Sequence, residues 1–177
     1  MVPDPECANR VAAAKAGSEE AWRFLIETHQ GSLIRLAWTM TGDRELAAEL
    51  AQETFVEAFV RIRQLRENGA FGAWLRTILV RAARRHFGRQ KALPPRETED
   101  RRTPEAEAIG GELRAAVDQA LASLSPPCRE AMAVAMAGGL SSAGAAALLG
   151  CSPEAYRVRL HKARRELRRL LADFLQE

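Results

Sequence analysis

The sequence predicts an all-α protein built from two small helical domains. Alanine, leucine, arginine and glutamate dominate its 177 residues, and runs of β-branched residues are absent. Apolar side chains recur every three or four positions along most of the chain, which is the period of an amphipathic helix. That pattern stops over residues 92–111, where proline, glycine and charged residues favour a flexible linker. We therefore predict one domain over residues 1–91 and a second over residues 112–177.

Charge is distributed unevenly along the chain. Residues 94–112 contain three basic and six acidic residues. Residues 1–93 contain 14 basic and 11 acidic residues, and residues 113–177 contain nine and six. A basic–acidic–basic arrangement suits two nucleic-acid-binding modules joined by a spacer.

The sequence also argues against several classes of protein. No run of about 18 apolar residues predicts a membrane span, and the N-terminus has no secretory pattern. Cys7, Cys128 and Cys151 are far apart and form no CxxC pair, so we expect reduced thiols in a cytoplasmic protein and no metal site. No glycine-rich phosphate loop, nucleophile elbow or carboxylate pair indicates an enzyme. We expect no catalytic residues and no cofactor.

The N-terminal domain begins with helical segments rich in alanine and leucine. Residues 8–16 form the first predicted helix, and Ser18 is a typical N-cap for the second. The second helix is expected to be interrupted at Gly31 and to continue over residues 32–40.

A long helix is predicted from about Arg44 to Leu65. The face opposite its apolar stripe is acidic, because the segment from Asp43 to Glu57 contains five acids and one base. A solvated acidic face is the simpler interpretation, but an acidic patch in a basic domain is also a candidate protein-docking surface. The predicted apolar stripe consists of Leu46, Leu50, Phe55, Ala58, Phe59, Ile62 and Leu65.

The next predicted helix covers residues 71–89 and follows a polar loop at residues 66–70 with a turn-forming Asn-Gly pair. Its second half is basic, with no acid between residues 76 and 91. Such a surface attracts phosphates, and the binding should weaken steeply with salt. The basic side chains are Arg76, Arg81, Arg84, Arg85, Arg89 and Lys91.

The C-terminal domain carries the pattern of a helix-turn-helix. Helices are predicted over residues 112–123 and 128–137, with a break at residues 124–127. A short helix of small apolar residues follows over residues 143–149, and Gly150 suits the left-handed position that ends a helix.

The last helix is strongly basic and begins with clear signals. Ser152 is a good N-cap, and Pro153 fits the first helical position. Seven Lys/Arg and one acid lie between Ala155 and Arg169. A basic second helix of this kind enters the DNA major groove, although a solvated amphipathic helix is the alternative. The predicted inward stripe is Val158, Leu160, Ala163, Leu167 and Leu170.

Five segments together resemble a known family. They are Thr41 to Phe59, Phe71 to Leu75, Leu124 to Glu130, Gly139-Leu140-Ser141 and Arg159 to Arg164. The first two are similar to the second region, and the others to the fourth region, of bacterial RNA polymerase sigma factors of the small extracytoplasmic-function group.

The resemblance implies sites for three kinds of contact. Residues implied in polymerase binding are Glu49, Leu50, Gln52, Glu53 and Phe55. Residues implied at the minus-ten promoter element are Asn68, Arg76, Arg81, Arg84, Arg85 and Arg89. Residues implied at the minus-thirty-five element are Ser152, Glu154, Tyr156, Arg157, Arg159, Lys162 and Arg165.

The resemblance also implies partners. These are core RNA polymerase, through its β′ clamp helices and β flap, promoter DNA and an anti-sigma protein. The alternatives are a stand-alone helix-turn-helix regulator, or a sigma-like decoy that binds an anti-sigma protein.

The sequence departs from the family pattern at several positions. Arg81 and Arg85 stand where the family often has Asn and Asp, and Gly144 and Ala145 replace acidic and bulky apolar residues. Residues 132–137 are unusually small, so we expect the C-terminal domain to pack loosely and its base preference to be its own.

Overall fold

The computed structural model describes residues 5–90, 111–138 and 140–172. Across these ranges the chain forms helices and no strand, which confirms the predicted all-α class. The predicted linker lies outside the described residues except for Gly111, where the first helix of the second half begins.

The described part of the first half, residues 5–90, is a bundle of long helices. Two short 3₁₀ helices, Ile62–Gln64 and Asn68–Ala70, lie between the third and fourth of them. The α-helices are α1 (Pro5–Lys15), α2 (Glu19–Thr41), α3 (Arg44–Arg61) and α4 (Phe71–Gln90).

Local side-chain chemistry sets the helix boundaries. The hydroxyl of Ser18 accepts a hydrogen bond from the backbone N–H of Ala21 at 3.2 Å, as a cap does at the start of α2. Asp43 caps α3 in the same way. Gly42, with φ of 72°, ends α2 in the left-handed region.

Two predicted features of these helices are wrong. The helix α2 runs through Gly31 without a break, because an interior glycine costs only about 1 kcal/mol and the helix buries large side chains on both sides of it. The helix α3 ends at Arg61 rather than Leu65. There the backbone tightens into a 3₁₀ turn in which Leu65 N donates to Ile62 O at 3.1 Å.

The core of the first half lies around α2, which packs against α1, α3 and α4. The helix α3 presents small side chains to the core it shares with α2 and α4, since Ala47, Ala51 and Ala58 are buried. Thr54 is also fully buried, and its hydroxyl donates to Leu50 O at 2.7 Å, so its polar atom is satisfied.

The second half also packs through helices. Its helices within the described residues are α5 (Gly111–Ser123), α6 (Pro126–Ala137), α7 (Ser142–Leu148) and α8 (Pro153–Leu170). The helix α6 begins at Pro126, inside the predicted break, because proline fits the first helical turn and Ser125 O accepts from Cys128 N at 2.9 Å. Leu121, Leu124, Met132 and Ala163 form a buried cluster of their own.

The predicted helix-turn-helix is present in α7 and α8. Gly150 has φ of 59° in the turn, as expected for a residue without a Cβ. The hydroxyl of Ser152 accepts from Ala155 N at 3.1 Å and caps α8, with Pro153 at its first position.

The two halves pack against each other. The helix α2 contacts α6, and α4 contacts α7. Buried residues of both halves belong to one apolar cluster, which extends from Val11 in α1 to Tyr156 in α8. Over the described ranges, no helix is long and apolar enough to cross a membrane.

Candidate protein-docking and DNA-binding surfaces

The outward face of α3 combines acids with large apolar side chains. Glu49, Gln52 and Glu53 are exposed. One turn further along the same face, three apolar residues are exposed by 66%, 63% and 75%; they are Val56, Phe59 and Val60. Exposed apolar side chains grouped on one helix face mark surfaces that bind other proteins. We call this set, residues 49, 52, 53, 56, 59 and 60, the α3 face.

The structure corrects one predicted core residue on this helix and shows how far two implied contact residues are covered. Leu50, implied in polymerase binding, is only 3% exposed, and Phe55 is half-buried. Phe59 was predicted to lie in the core, yet it is 63% exposed, and its ring lies tilted against Trp22 with 5.2 Å between ring centroids. The small residues of α3 occupy the core side, and this turns Phe59 outward.

The arginines of α4 do not form one surface. Arg76 is half-buried beside His29, near Gly72. Burial lowers the pKa of Arg76. Burial, and secondly the charge of Arg76, lower the pKa of His29, whose Nε2 lies 3.6 Å from the sulfur of Cys7. Arg76 is therefore half-covered beside His29, whereas Arg81, Arg84 and Arg85 are exposed.

Arg85 points toward α3. Its Nη2 lies 3.3 Å from a carboxylate oxygen of Glu53 and 3.3 Å from one of Glu57. Arg85 remains half exposed, so a phosphate could compete for it with these carboxylates.

Arg81 and Arg84 point toward α7. Arg81 is exposed and lines a groove of about 210 Å³ between α4 and α7. Arg84 Nη1 donates to the carbonyl oxygen of Leu148 at 2.8 Å. The helix face toward the second half thus carries two of the cations that the sequence assigned to DNA.

The loop before α4 is tied to α1. Lys15 Nζ donates at 2.6 Å to Asn68 Oδ1 and at 2.6 Å to Leu65 O. Asn68 is therefore held in a fixed position rather than on a free loop. The side chain of Arg89 lies outside the described part of the structure, as does Lys91.

The solvent face of α8 is the second basic surface. Glu154, Arg157, Lys162 and Arg165 are exposed there, and Arg159 is half-exposed at its flank. Arg157 Nη2 lies 2.8 Å from Glu154 Oε1, one turn earlier. Ser152, although exposed, uses its hydroxyl as the helix cap.

Two residues of α8 face the opposite side of the helix from the side predicted for them. Tyr156, implied as a DNA contact, is 4% exposed and packs in the core, and burial raises the pKa of its hydroxyl. Val158, predicted to face inward, is 53% exposed on the same face as Arg157 and His161. The core side of α8 is set by Tyr156 and Ala163, which are seven residues apart, and Val158 lies across the helix from both.

The chain offers no metal centre among the residues that the structure describes, since no group of three His, Cys, Asp or Glu side chains comes together there. The candidate binding surfaces are a mixed acidic and apolar face on α3 and a basic face on α8, with the arginines of α4 between them. These two surfaces are candidates for binding another protein and DNA, respectively.

Comparison with known proteins agrees with this arrangement. Residues 25–93 match the family Sigma-70 region 2, and residues 114–167 match the family Sigma-70, region 4. The RNA polymerase sigma factor CarQ of Myxococcus xanthus is 36% identical over 89% of this chain and 92% of its own length. The chain belongs to the extracytoplasmic-function group of RNA polymerase sigma factors.

Other relatives are more distant or longer. The sigma factor SigE of Mycolicibacterium smegmatis is 35% identical over 89% of this chain, which spans 64% of the SigE length. RNA polymerase sigma-H factor of Pseudomonas aeruginosa is 25% identical over 94% of both chains.

Solved structures share the fold. CnrH, determined in complex with the cytosolic domain of CnrY, superposes with a TM-score of 0.64 at 25% identity, covering 94% of this chain and 97% of CnrH. The sigma factor RpoE of Bartonella quintana, determined with the anti-sigma factor NepR, superposes with a TM-score of 0.61 at 24% identity, covering 85% of this chain and 96% of RpoE.

Proposed function

We propose that this chain binds core RNA polymerase through the α3 face and directs it to promoters that α4 and α8 recognise. The observation that carries the proposal is the exposure of Val56, Phe59 and Val60 beside Glu49 and Glu53. A free monomer gains nothing from three exposed apolar side chains on one face, whereas a partner can bury them.

The partner that fits the α3 face has apolar residues surrounded by basic ones. Acids at the rim steer such a partner, and burial of the aromatic ring supplies most of the affinity. By its family, this partner is the pair of β′ clamp helices of core polymerase.

The proposed DNA contacts are of two kinds: some position the protein on the DNA, and others read its base sequence. Exposed cations such as Arg165 and Lys162 would contact phosphates, which fix register without reading sequence. Arg157 and Val158 lie on the same face of α8, where an arginine can pair with guanine and an apolar side chain can contact a thymine methyl. We assign this face to the minus-thirty-five element.

We assign recognition of the minus-ten element to α4 and the loop before it. Asn68 would hold a flipped base, because Lys15 fixes the position of this loop relative to α1. Arg81, Arg84 and Arg85 would hold the strand backbone. Base flipping costs a few kcal/mol, which the polymerase complex must offset.

An anti-sigma protein is the proposed regulator. RpoE of Bartonella quintana was determined in complex with the anti-sigma factor NepR, and CnrH with the cytosolic domain of CnrY. By the same family argument we place the chain in the cytoplasm, with its second half against the β flap.

The experiment that tests the proposal is binding of the purified chain to core polymerase. Phe59→Ala should weaken binding by about 2 kcal/mol, roughly thirtyfold, as expected for an aromatic anchor. Glu53→Lys should also weaken it, whereas Glu27→Lys, the same change at an exposed position of α2, should not. Equal affinities for all four proteins would contradict the proposal. Salt-sensitive DNA binding without any binding to core polymerase would favour a stand-alone regulator.

A further inference from the structure

Lys15 bridges two positions of the loop before α4. It is the last residue of α1, and its Nζ atom donates at 2.6 Å to the carbonyl oxygen of Leu65 and at 2.6 Å to Asn68 Oδ1. Between these two acceptors lie only Arg66 and Glu67, and both are exposed. One cation on α1 therefore closes the loop and holds one of its side chains.

The chemistry of Lys15 determines which way the Asn68 amide is turned. An ammonium group has three donors and no acceptor, so only the oxygen of the amide can face it. The amide nitrogen, Nδ2, is then the end directed away from Lys15. Among the residues that the structure describes, no group accepts a hydrogen bond from Nδ2, whereas the backbone oxygen of Asn68 accepts from Phe71 N. Asn68 therefore offers N–H donors to a ligand.

Asn68 is the polar side chain of the 3₁₀ turn Asn68–Ala70. Gly69 and Ala70 are exposed, and neither carries a polar side-chain atom. Phe71, which follows them, is fully buried and anchors the start of α4. A base that reaches this turn therefore meets one side chain of the turn that can form hydrogen bonds. Its selectivity depends on which end of the Asn68 amide faces the base.

The four bases differ in where they carry donors and acceptors. Guanine and thymine have a carbonyl oxygen where adenine and cytosine have an amino group. The ring nitrogen beside that group changes in the opposite sense, so adenine and guanine form one exchange pair, and cytosine and thymine form another. An amide that offers only N–H donors favours the member of each pair that places an acceptor against it.

We propose that Lys15 is a positioning residue for base selection. By holding Asn68 Oδ1, it leaves Nδ2 to select an unpaired base that presents a hydrogen-bond acceptor. This inference rests on the proposed function, which assigns a flipped base to this loop, and it adds the direction of the hydrogen bond and the residue that sets it. Lys15 acts through Asn68 and needs no contact of its own with DNA.

The test uses the full-length chain with core polymerase and a pool of duplexes that contain a randomised unpaired segment. Bound duplexes are sequenced, and the position whose base bias is lost in Asn68→Ala is the one that Asn68 contacts. There the wild-type chain should favour one base over its exchange partner by about tenfold. Asn68→Asp replaces the outward donor with an acceptor of nearly the same shape, so it should reverse the preference within the pair.

Substitutions of Lys15 test its positioning role. Lys15→Met removes the donor and frees the amide to turn, so the preference at that one position should fall from about tenfold to about twofold. Lys15→Arg, which also has donors and no acceptor, should retain the preference. Arg63→Met removes a charge from an exposed position near the same loop and should weaken binding to all four bases equally. Circular dichroism checks that each variant is folded.

Two results would overturn the inference while the proposed function stands. One is a base preference that Asn68→Asp leaves unreversed, and the other is a preference that a folded Lys15→Met chain retains in full. A loss of affinity in Lys15→Met that is equal for all four bases would assign Lys15 a purely structural role. Failure of the wild-type chain to bind core polymerase would instead overturn the proposed function, and the selection of a base by Asn68 with it.

Discussion

Arg85 on α4 is ion-paired to Glu53 on α3, with 3.3 Å between the Nη2 atom of the arginine and the Oε1 atom of the glutamate. Glu57 shares the same guanidinium and also pairs with Arg61 at 2.9 Å. The proposed polymerase-binding helix and the proposed DNA-binding helix are therefore joined by one cluster of charges. Polymerase that takes up Glu53 would remove one of the two carboxylates that hold Arg85.

The charge cluster should contribute little to stability. Glu57→Gln should lower the free energy of unfolding by about 0.5 to 1 kcal/mol, because both arginine partners of this partly covered carboxylate are open to solvent, where ion pairs are weak. The effect should shrink in an Arg85→Ala background, since the two residues interact. Urea unfolding of the two single variants and the double variant measures the coupling. A coupling of zero would show that the pair makes no contribution in solution.

His29 should make stability depend on pH. Its pKa is lowered by burial and by Arg76, so the folded protein binds a proton less readily than the unfolded chain does. Stability should therefore be complete above the ordinary histidine pKa of about 6.5 and should fall as pH drops below it. His29→Gln should flatten this part of the pH profile in thermal unfolding, whereas Thr28→Gln, at an exposed neighbour, should not. An unchanged slope in His29→Gln would contradict the account.

Val158 should influence base preference rather than stability. Because its side chain is 53% exposed on the basic face of α8, Val158→Ala should change the free energy of unfolding by less than about 0.5 kcal/mol. It should weaken promoter binding at one position where thymine is preferred, by removing methyl contacts. Binding to promoter variants substituted one base pair at a time measures this. A uniform loss at every position would indicate a non-specific role.

Tyr156 should stabilise the helix-turn-helix and make no DNA contact. Tyr156→Ala should cost about 3 kcal/mol of unfolding free energy, as for other large buried aromatic residues. Tyr156→Phe keeps the ring and should retain wild-type DNA binding. Denaturant unfolding and DNA titrations of both variants separate the two roles. Reduced DNA binding by a stable Tyr156→Phe protein would restore the tyrosine to the contact surface.

The sequence predicts the helices well because their ends depend on neighbouring residues. Ser18, Gly150, Ser152 and Pro153 act at or next to the positions that their chemistry favours, through contacts within a few residues of the chain. Such signals are local, so they can be identified without any knowledge of the tertiary structure.

The direction of individual side chains was harder to predict. Helical spacing shows which residues share a face, but not which face packs against a neighbour. On α3, buried alanines occupy the core side and Phe59 faces outward, and a stripe chosen by size cannot detect this. On α8, the buried face contains Tyr156, and Val158 is displaced to the surface. The signal that could have identified the buried face of each helix is the row of small residues opposite the large ones.

The contacts of the arginines depend on distant parts of the chain. Arg84 contacts Leu148, which is 64 positions later, and Arg85 contacts Glu53, which is 32 positions earlier. No local pattern encodes such pairs. The sequence therefore predicts how many cations α4 carries, but not which of them face α2, α3 or α7.

Transcription by reconstituted polymerase tests the central claim most directly. Core polymerase would be incubated with genomic DNA of the bacterium that carries this gene, with and without the chain, and the 5′ ends of the transcripts would be mapped. The account predicts new, discrete start sites that share two upstream motifs and that are lost with Phe59→Ala, whereas Glu27→Lys retains them. An absence of chain-dependent start sites, with a folded chain and active core polymerase, would contradict it.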